Sequence, residues 1–283
     1  MSRTTPSNEV ILDIQHMVKK FPLEGGKELI AVNDVSLQLY KGESLAIVGE
    51  SGSGKSTLVK CLVRLHRPTS GAAIYDGTDL MQLGGEALRQ SRRHIQMVFQ
   101  DPNTAFNPKM KIKDIICEPL YNFDLIKSSE ATDKAKEMLR LVELPEDIVD
   151  RFPANMSGGQ RQRIGIARAL VLNPEILVCD EATSALDVSV QKKIVDLLLS
   201  IQQKKRISII FICHDLGLVY QMCHRAAVMY RGSIVETLPA NKLREAQHPY
   251  TQALLHSIFP LRGKKRYKDM AENAPATMET PAG

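Results

Sequence analysis

The sequence lacks close pairs of metal-binding or disulfide-forming residues. Its five cysteines are an odd number and include no CxxC pair, so they do not form a disulfide framework. The adjacent Cys–His residues at 213–214 and 223–224 do not have the CxxC or HxxxH spacing that is usual for zinc ligands. We therefore expect most of these thiols to be small buried side chains rather than ligands.

Apolar runs of membrane-spanning length are missing as well. The longest, such as ISIIFIC at 207–213, have only the length of a strand, and MSRTTPSNEV at 1–10 lacks the apolar segment of a secretory signal. A net charge of +5 is spread along the chain, and the one dense basic run is RGKKRYK at 262–268. We therefore expect a cytosolic chain that reaches a membrane only through partners, and the charge does not indicate nucleic acid.

Three continuous apolar runs predict an open α/β sheet. A run without alternation is typical of a parallel strand that is covered on both faces, and each run is followed by polar residues of chemical interest. The predicted strands are SLAIV at 44–48, ILVC at 176–179 and SIIFIC at 208–213.

Helical spacing appears between these strands. Apolar residues recur every three or four positions at 187–203 and again at 131–142, which predicts two amphipathic helices. The second lies in a segment of about 103–165 that has no convincing strand, so we expect a helical insertion there. The segment from about 270 is rich in Ala, Pro and Thr and is expected to be disordered.

The stretch GESGSGKST at 49–57 fits the phosphate-loop pattern G-x-x-x-x-G-K-[ST], with a strand before it and a helix after it. Its backbone N–H groups are expected to point at phosphate oxygens, with Lys55 reaching the β- and γ-phosphates and Ser56 ligating Mg²⁺. This predicts a nucleoside triphosphate site but leaves kinases, GTPases and ATPases open. The predicted binding residues are Gly49, Ser51, Gly52, Ser53, Gly54, Lys55, Ser56 and Thr57.

Two adjacent acids end the second predicted strand. Successive strand residues point in opposite directions, so Asp180 and Glu181 are expected to serve two roles. Asp180 would hold Mg²⁺, directly or through water, and Glu181 would act as the general base toward an attacking water. A second glycine-rich turn, SGGQ at 157–160, precedes a predicted helix, and by itself it reads as a helix N-cap.

Together these motifs resemble the ATPase subunit of an ABC transporter. The set is the phosphate loop, VFQDP at 98–102, MSGGQRQR at 156–163, ILVCDEATSALD at 176–187 and CHD at 213–215. The resemblance covers about residues 9–240. It implies a P-loop NTPase with a RecA-like sheet core, an N-terminal β subdomain and the inserted helical subdomain.

The resemblance also assigns roles to further residues. In this family two ATPase domains pack head to tail, so Ser157, Gly158, Gly159 and Gln160 would contact the γ-phosphate bound by the partner. Gln100 matches the glutamine that contacts Mg²⁺, and Asp187 matches the residue that communicates across the dimer. His214 matches the switch histidine near the γ-phosphate, and Phe21 is a candidate for stacking on adenine.

Two positions differ from the usual family pattern. Met156 stands where leucine is usual, a near-isosteric change expected to be harmless, and Ala154–Asn155 replace the usual His-Glu. QHPYTQALLHSIFPL at 247–261 resembles the segment typical of dipeptide, oligopeptide and nickel importers, and FQDPNTAFNPKMKI at 99–112 fits that group too. Because no cysteine follows Cys223, the chain resembles the subunit type without an iron–sulfur motif.

The resemblance implies an ATPase at the cytoplasmic face of the cell membrane that powers import of di- or oligopeptides with ATP and Mg²⁺. Its implied partners are a paralogous ATPase subunit or a second copy, two membrane permeases and an extracytoplasmic substrate-binding protein, without nucleic acid. The extension would span 241–269, before the tail at 270–283, although His248 and Pro249 could simply cap and pin a helix. Open alternatives are nickel, metallophore or other small-solute import, and a soluble ATPase acting on ribosomes or nucleic acid.

Overall fold

The secondary structure combines two sheets with helices on their flanks. A computed structural model describes residues 5–99, 106–181 and 188–258. The strands in those ranges are β1 (Val10–Pro22), β2 (Glu28–Tyr40), β3 (Ser44–Val48), β4 (Ser70–Tyr75), β5 (Thr78–Asp79), β6 (Ile95–Val98), β7 (Ile176–Asp180), β8 (Ser208–Ile212), β9 (Arg225–Tyr230) and β10 (Ser233–Pro239). The α-helices there are α1 (Lys55–Leu62), α2 (Gly85–Ser91), α3 (Ile112–Asn122), α4 (Ala131–Leu141), α5 (Gly158–Leu170), α6 (Val188–Lys205), α7 (Leu216–Met222) and α8 (Pro249–Ile258).

The three strands predicted from continuous apolar runs form the centre of the larger sheet. Its order is β10-β9-β3-β8-β7-β6, and all residues of β3, β7 and β8 are buried, which confirms the prediction. The neighbours from β6 to β9 pair in parallel, whereas β10 pairs antiparallel at the edge. Parallel pairing places the carboxyl ends of these strands at one edge, where the polar residues follow.

Each central strand divides its side chains between two hydrophobic cores. Alternate residues point to opposite faces of a sheet, so one set packs on the helices and the other set packs on the second sheet with α1. The residues facing the helices include Ala46, Val48, Leu177, Cys179, Ile209 and Phe211. Those facing the second sheet include Leu45, Ile47, Ile176, Val178, Ile210 and Ile212.

The second sheet contains the N-terminal hairpin. Its order is β2-β1-β4-β5, with antiparallel pairing throughout. In β2, Val35, Leu37 and Leu39 are buried while the residues between them are exposed, so one face packs on the core. The N-terminal β subdomain that the resemblance implied is therefore present.

The insertion is helical, as its lack of strand patterns predicted. From residue 106 to 165 the structure has α3, α4, the start of α5 and two 3-10 helices at Glu146–Asp150 and Pro153–Asn155. The predicted apolar stripe of α4 is buried, and Ala135 and Met138 belong to the hydrophobic core that also contains residues of α3 and α5. Met156 is also buried in this core, as expected of an apolar replacement for leucine.

The C-terminal segment folds back on the main domain. After β10, a 3-10 helix at Ala240–Glu245 leads to α8, which begins at Pro249. The side chain of Glu236 in β10 accepts hydrogen bonds from the backbone N–H groups of Gln247 (2.8 Å) and His248 (3.3 Å). The boundary predicted at 240–241 stays a prediction, and the predicted disordered tail lies outside the described residues.

The cysteines are structural side chains. All five are buried, and burial raises the pKa of Cys61 and Cys117 to about 11 and that of Cys179 to about 12. His224 Nδ1 accepts a hydrogen bond from the backbone N–H of Ser44 (2.9 Å). Within the described ranges, no cluster of three or more His, Cys, Asp or Glu is suited to a metal ion, and no helix combines the length and apolarity needed to cross a bilayer.

Candidate functional site

The phosphate loop has a backbone that only glycine can supply at two close approaches. It connects the end of β3 to the start of α1, and Gly49 and Gly54 have φ of 152° and 103°. A Cβ at Gly49 would overlap the carbonyl oxygen of Met229, and one at Gly54 would overlap that of Ala31. The close approach of neighbouring backbone therefore restricts these two positions to glycine.

Lys55 folds back into this loop. Its Nζ donates to the carbonyl oxygens of Gly49 (2.9 Å) and Glu50 (2.7 Å) and lies 3.4 Å from the hydroxyl of Ser53. Only 4% of Lys55 is exposed, and burial lowers the pKa of its ammonium, although the nearby carboxylates oppose this. A buried cation needs oxygen partners, and the carbonyl groups of Gly49 and Glu50 supply them.

Asp180 and Ser56 meet across 124 positions of sequence, and the Ser56 hydroxyl donates to Asp180 Oδ1 at 2.8 Å. Burial raises the pKa of Asp180, and the hydrogen bond from Ser56 partly offsets this. Adjacent ligands of an octahedral Mg²⁺ ion lie about 2.9 Å apart, given its bond lengths of about 2.0–2.1 Å. The separation of the two oxygen atoms is compatible with neighbouring ligands of Mg²⁺, and the magnesium site stays a prediction.

Glu181 departs from the strand geometry on which its prediction was based. β7 ends at Asp180, and Glu181 has a left-handed φ of 45°, so alternation along a strand does not set its direction. The argument that alternation along a strand directs Asp180 and Glu181 to opposite sides was therefore wrong. A non-glycine residue in this conformation stores backbone strain, which is typical of functional sites. Glu181 is near enough to Lys55 to be the largest electrostatic influence supporting its charge.

His214 lies in the connection from β8 to α7 and is exposed. The next residue, Asp215, caps α7: its Oδ1 accepts from the backbone N–H groups of Gly217 (2.7 Å) and Leu218 (3.2 Å). The sequence reasoning named the CHD motif but missed this cap, although an Asp directly before an apolar helix is a recognisable signal.

The second glycine-rich turn is an N-cap, as its local reading predicted. Ser157 Oγ accepts from the N–H of Gln160 (3.3 Å), and Gln160 Oε1 accepts from the N–H of Ser157 (2.9 Å), which forms a capping box at the start of α5. A Cβ at Gly159 would lie 2.6 Å from Val190 Cγ1, so α6 packs closely against the turn.

The fold therefore brings some predicted residues together and leaves others apart. The phosphate loop joins Asp180 and Glu181 at the carboxyl edge of the large sheet. The turn at 157–160 is exposed at Ser157, and no recorded hydrogen bond or ion pair among the described residues links it to the phosphate loop. Gln100 and Asp187 lie outside the described residues.

Phe21 lies near the end of β1, beside the hairpin tip. Its ring packs edge-on against His66, with centroids 5.5 Å apart, and Lys19 Nζ lies 4.7 Å from its centroid. Large apolar side chains nearby in the hairpin, Leu23 and Leu29, are exposed. A partly buried aromatic ring next to exposed apolar surface suits a flat heterocycle, and the adenine contact stays a prediction.

Comparison with protein families agrees with this geometry. A model described as ABC transporter matches residues 32–184, which is more than half of the chain. The chain belongs to the ABC transporter family. A second model, described as the C-terminal region of oligopeptide/dipeptide transporters, matches residues 235–283 of this ABC-type chain.

The alignments with individual relatives cover most of this chain. It is 46% identical to the probable peptide ABC transporter ATP-binding protein y4tS of Sinorhizobium fredii, across 88% of this chain and 72% of the relative. It is 43% identical to the oligopeptide transport ATP-binding protein AppF of Bacillus subtilis, across 90% and 80% of the two chains.

A solved structure confirms the ABC ATPase fold. The dimeric ATP-binding cassette MJ0796, in a post-hydrolysis state bound to ADP and Pi, superposes with a TM-score of 0.73 at 29% identity. The match covers 81% of this chain and 98% of that chain. This ABC ATPase therefore has the P-loop NTPase fold that its motifs indicated.

Proposed function

We propose that this chain is the ATP-hydrolysing subunit that powers import of di- or oligopeptides by an ABC transporter. The observation that carries the peptide assignment is the segment at 235–283, which matches the oligopeptide/dipeptide transporter C-terminal region and lies C-terminal to the ABC transporter match at 32–184. The names of y4tS and AppF, which refer to peptide and oligopeptide transport, support the same substrate class. The alternative solutes and the ribosome- or nucleic-acid-acting alternative are therefore not favoured.

The chemistry proposed for the site is attack of water on the γ-phosphorus of ATP. Glu181 accepts the proton of that water while the bond from the γ-phosphorus to the bridging oxygen breaks, which leaves ADP and phosphate. Lys55 exchanges its carbonyl partners for phosphate oxygens. Ser56, Asp180 and Gln100 would hold Mg²⁺, which neutralises charge on the phosphates. His214 lies at the same carboxyl edge and is proposed to contact the γ-phosphate.

The site is proposed to be completed by another ATPase subunit. Ser157, Gly158, Gly159 and Gln160 would present a hydroxyl, N–H groups and a helix N-terminus to the γ-phosphate of that subunit. Three observations support this arrangement: Ser157 is exposed, no hydrogen bond or ion pair within the described part of the chain joins its turn to its own phosphate loop, and MJ0796 with ADP and Pi is dimeric. We propose a paralogue as the partner, with a second copy as the alternative, and Asp187 as a contact across the dimer.

The membrane partners follow from the proposed transport function. ABC importers for peptides work with membrane permeases, and two of them would bind the ATPase pair at the cytoplasmic face. An extracytoplasmic binding protein would deliver the peptide. Closure of the ATPase dimer on ATP would move the permeases, and hydrolysis would reset them.

Co-purification tests this assignment. We would purify the tagged chain from its native cells in mild detergent, with untagged cells as the control, and identify co-purifying proteins by mass spectrometry. Two multi-span membrane proteins with a second ATPase and a binding protein are expected, and the binding protein should bind peptides in preference to nickel. Recovery of ribosomes or nucleic acid without a membrane protein would contradict the proposal.

Replacing Asp180 by Asn is expected to abolish turnover without destabilising the nucleotide-free protein. Because burial raises the pKa of Asp180, its charge costs folding free energy at neutral pH, and Asn removes that charge while keeping an acceptor for Ser56. The melting temperature should be equal or higher. The loss of a metal ligand should reduce ATP hydrolysis by roughly 10²-fold or more.

The matched control is Asp150→Asn. Asp150 is exposed, and hydrogen bonds from Lys113 and Lys111 lower its pKa. Its negative charge therefore favours the folded protein, whereas the charge of Asp180 costs folding free energy. This variant should keep its turnover and should not melt at a higher temperature. A fall of several degrees for Asp180→Asn would contradict our view that the carboxylate is retained for function at a cost in stability.

A further inference from the structure

In the part of the C-terminal segment that the structure describes, the hydroxyl group of Tyr250 contacts the phosphate loop. His248 Nδ1 accepts from the backbone N–H of Tyr250 (3.2 Å), and the Glu236 carboxylate holds the N–H groups of Gln247 and His248. These contacts fix the first turn of α8. The ring of Tyr250 then packs on Tyr230 at the end of β9, with centroids 4.2 Å apart and planes tilted by 35°.

This packing directs the Tyr250 hydroxyl at the phosphate loop. The backbone N–H of Glu50 donates to Tyr250 Oη at 2.9 Å, across 200 positions of sequence. A tyrosine hydroxyl is neutral at physiological pH and has lone pairs that can accept this bond. The loop has a second support nearby, because the N–H of Gly232 in the β9–β10 turn donates to the carbonyl of Ser53 (3.0 Å).

The two sides of one peptide group in the loop have different partners. The N–H of Glu50 and the carbonyl of Gly49 belong to the same planar unit. The carbonyl oxygen accepts from Lys55 Nζ at 2.9 Å, while the N–H donates to Tyr250. Because the unit is rigid, a partner that fixes its N–H also fixes the direction of the carbonyl that holds the lysine.

We propose that Tyr250 is a positioning residue through which the C-terminal segment orders the phosphate loop before nucleotide binds. The inference rests on the proposed ATPase function but adds a role for the peptide-importer segment itself. A preordered loop loses less conformational freedom when it binds phosphates, so the hydroxyl contributes to nucleotide affinity without touching nucleotide. The effect should be on binding, because Glu181 and the turn at 157–160 are not involved in the contact.

Tyr250→Phe tests the hydroxyl alone, since phenylalanine keeps the ring that packs on Tyr230. We would measure the Kd of ADP with Mg²⁺ by calorimetry, because ADP occupies the phosphate loop without hydrolysis. The loss of one hydrogen bond should raise the Kd by roughly 2- to 10-fold. The KM for ATP should rise by a similar factor, while kcat at saturating ATP should stay within about twofold of the original value.

Tyr230→Phe is the matched control. It removes a hydroxyl for which no partner is recorded among the described residues and keeps the same ring pair. Its Kd for ADP should be unchanged, and both variants should melt within a few degrees of the original chain. Equal ADP affinity in Tyr250→Phe and the original chain would overturn the positioning role while leaving the ATPase function intact.

The remaining outcomes are also decisive. A fall in kcat without a change in Kd would overturn the inference, because the contact would then act on the chemical step. Equal losses in both tyrosine variants would overturn the inference, because a hydroxyl that does not contact the loop would then matter as much as the one bonded to Glu50. Failure of the original chain to bind ADP or ATP would instead contradict the proposed function.

Discussion

Glu181→Gln is expected to retain ATP binding and lose nearly all turnover at the site formed by its own phosphate loop. The amide keeps the size of the side chain but cannot accept the proton of the attacking water, which should lower the rate by about 10²- to 10⁴-fold. The nucleotide contacts proposed for Lys55 and Ser56 come from α1 and should remain. The ATP-bound dimer should therefore accumulate in its closed form, which size-exclusion chromatography with and without ATP would detect.

Glu137→Gln provides the control for loss of a carboxylate. Glu137 forms an exposed ion pair with Lys134 on α4 (2.7 Å), and such pairs contribute little to stability. Its turnover should equal that of the original chain. Fast hydrolysis by Glu181→Gln in a single-turnover assay would remove Glu181 as the base. Another group would then have to accept the proton.

The central strands could be predicted because their signal is local. β3, β7 and β8 are short, continuously apolar and buried on both faces, so composition alone marks them. The hairpin of β1 and β2 could not be recognised in the same way. Its register shifts at several points, and His16 and Asp34 have positive φ, so the alternation of apolar and polar residues is interrupted. Only the family resemblance indicated an N-terminal β subdomain.

The site shows the same division between local and distant information. The phosphate loop at 49–57 could be predicted from its own glycines and from the helix after it. The pairing of Ser56 with Asp180 could be predicted because both residues belong to motifs that are expected to hold Mg²⁺. The left-handed conformation of Glu181 follows from no local rule, since glutamate rarely adopts it. The contact of Tyr250 with Glu50 depends on tertiary packing across 200 positions. HPYT was recognisable as a motif, but its contact with the phosphate loop was not.

The capping role of Ser157 is compatible with the phosphate contact proposed for it. A serine hydroxyl has one hydrogen to donate and two lone pairs to accept. The cap uses a lone pair, because Ser157 Oγ accepts from the N–H of Gln160. The hydrogen is then available for a phosphate oxygen, and the capping box holds the hydroxyl in position for it. Ser157 Oγ can therefore cap the helix with a lone pair and at the same time donate its hydrogen to a phosphate oxygen.

This double use leads to a matched pair of substitutions, Ser157→Asp and Ser157→Asn. Both residues are good N-caps, so both should keep the helix start, and they differ mainly in charge. If the turn faces the γ-phosphate of a partner subunit, the carboxylate should repel it and remove a donor. Turnover should then fall by roughly 10²- to 10³-fold in the aspartate variant. The neutral asparagine variant should lose on the order of tenfold or less, the value of about one hydrogen bond.

The measurement is ATP hydrolysis by the chain assembled with its ATPase partner, together with ATP affinity of the separate chain. Nucleotide affinity of the separate chain should be unchanged in both variants if the turn contacts only the nucleotide of the partner subunit. Equal losses of turnover in the two variants would show that charge at this position does not face a phosphate. A weaker affinity of the separate aspartate chain for ATP would place the turn at its own nucleotide instead, and the shared site would be excluded.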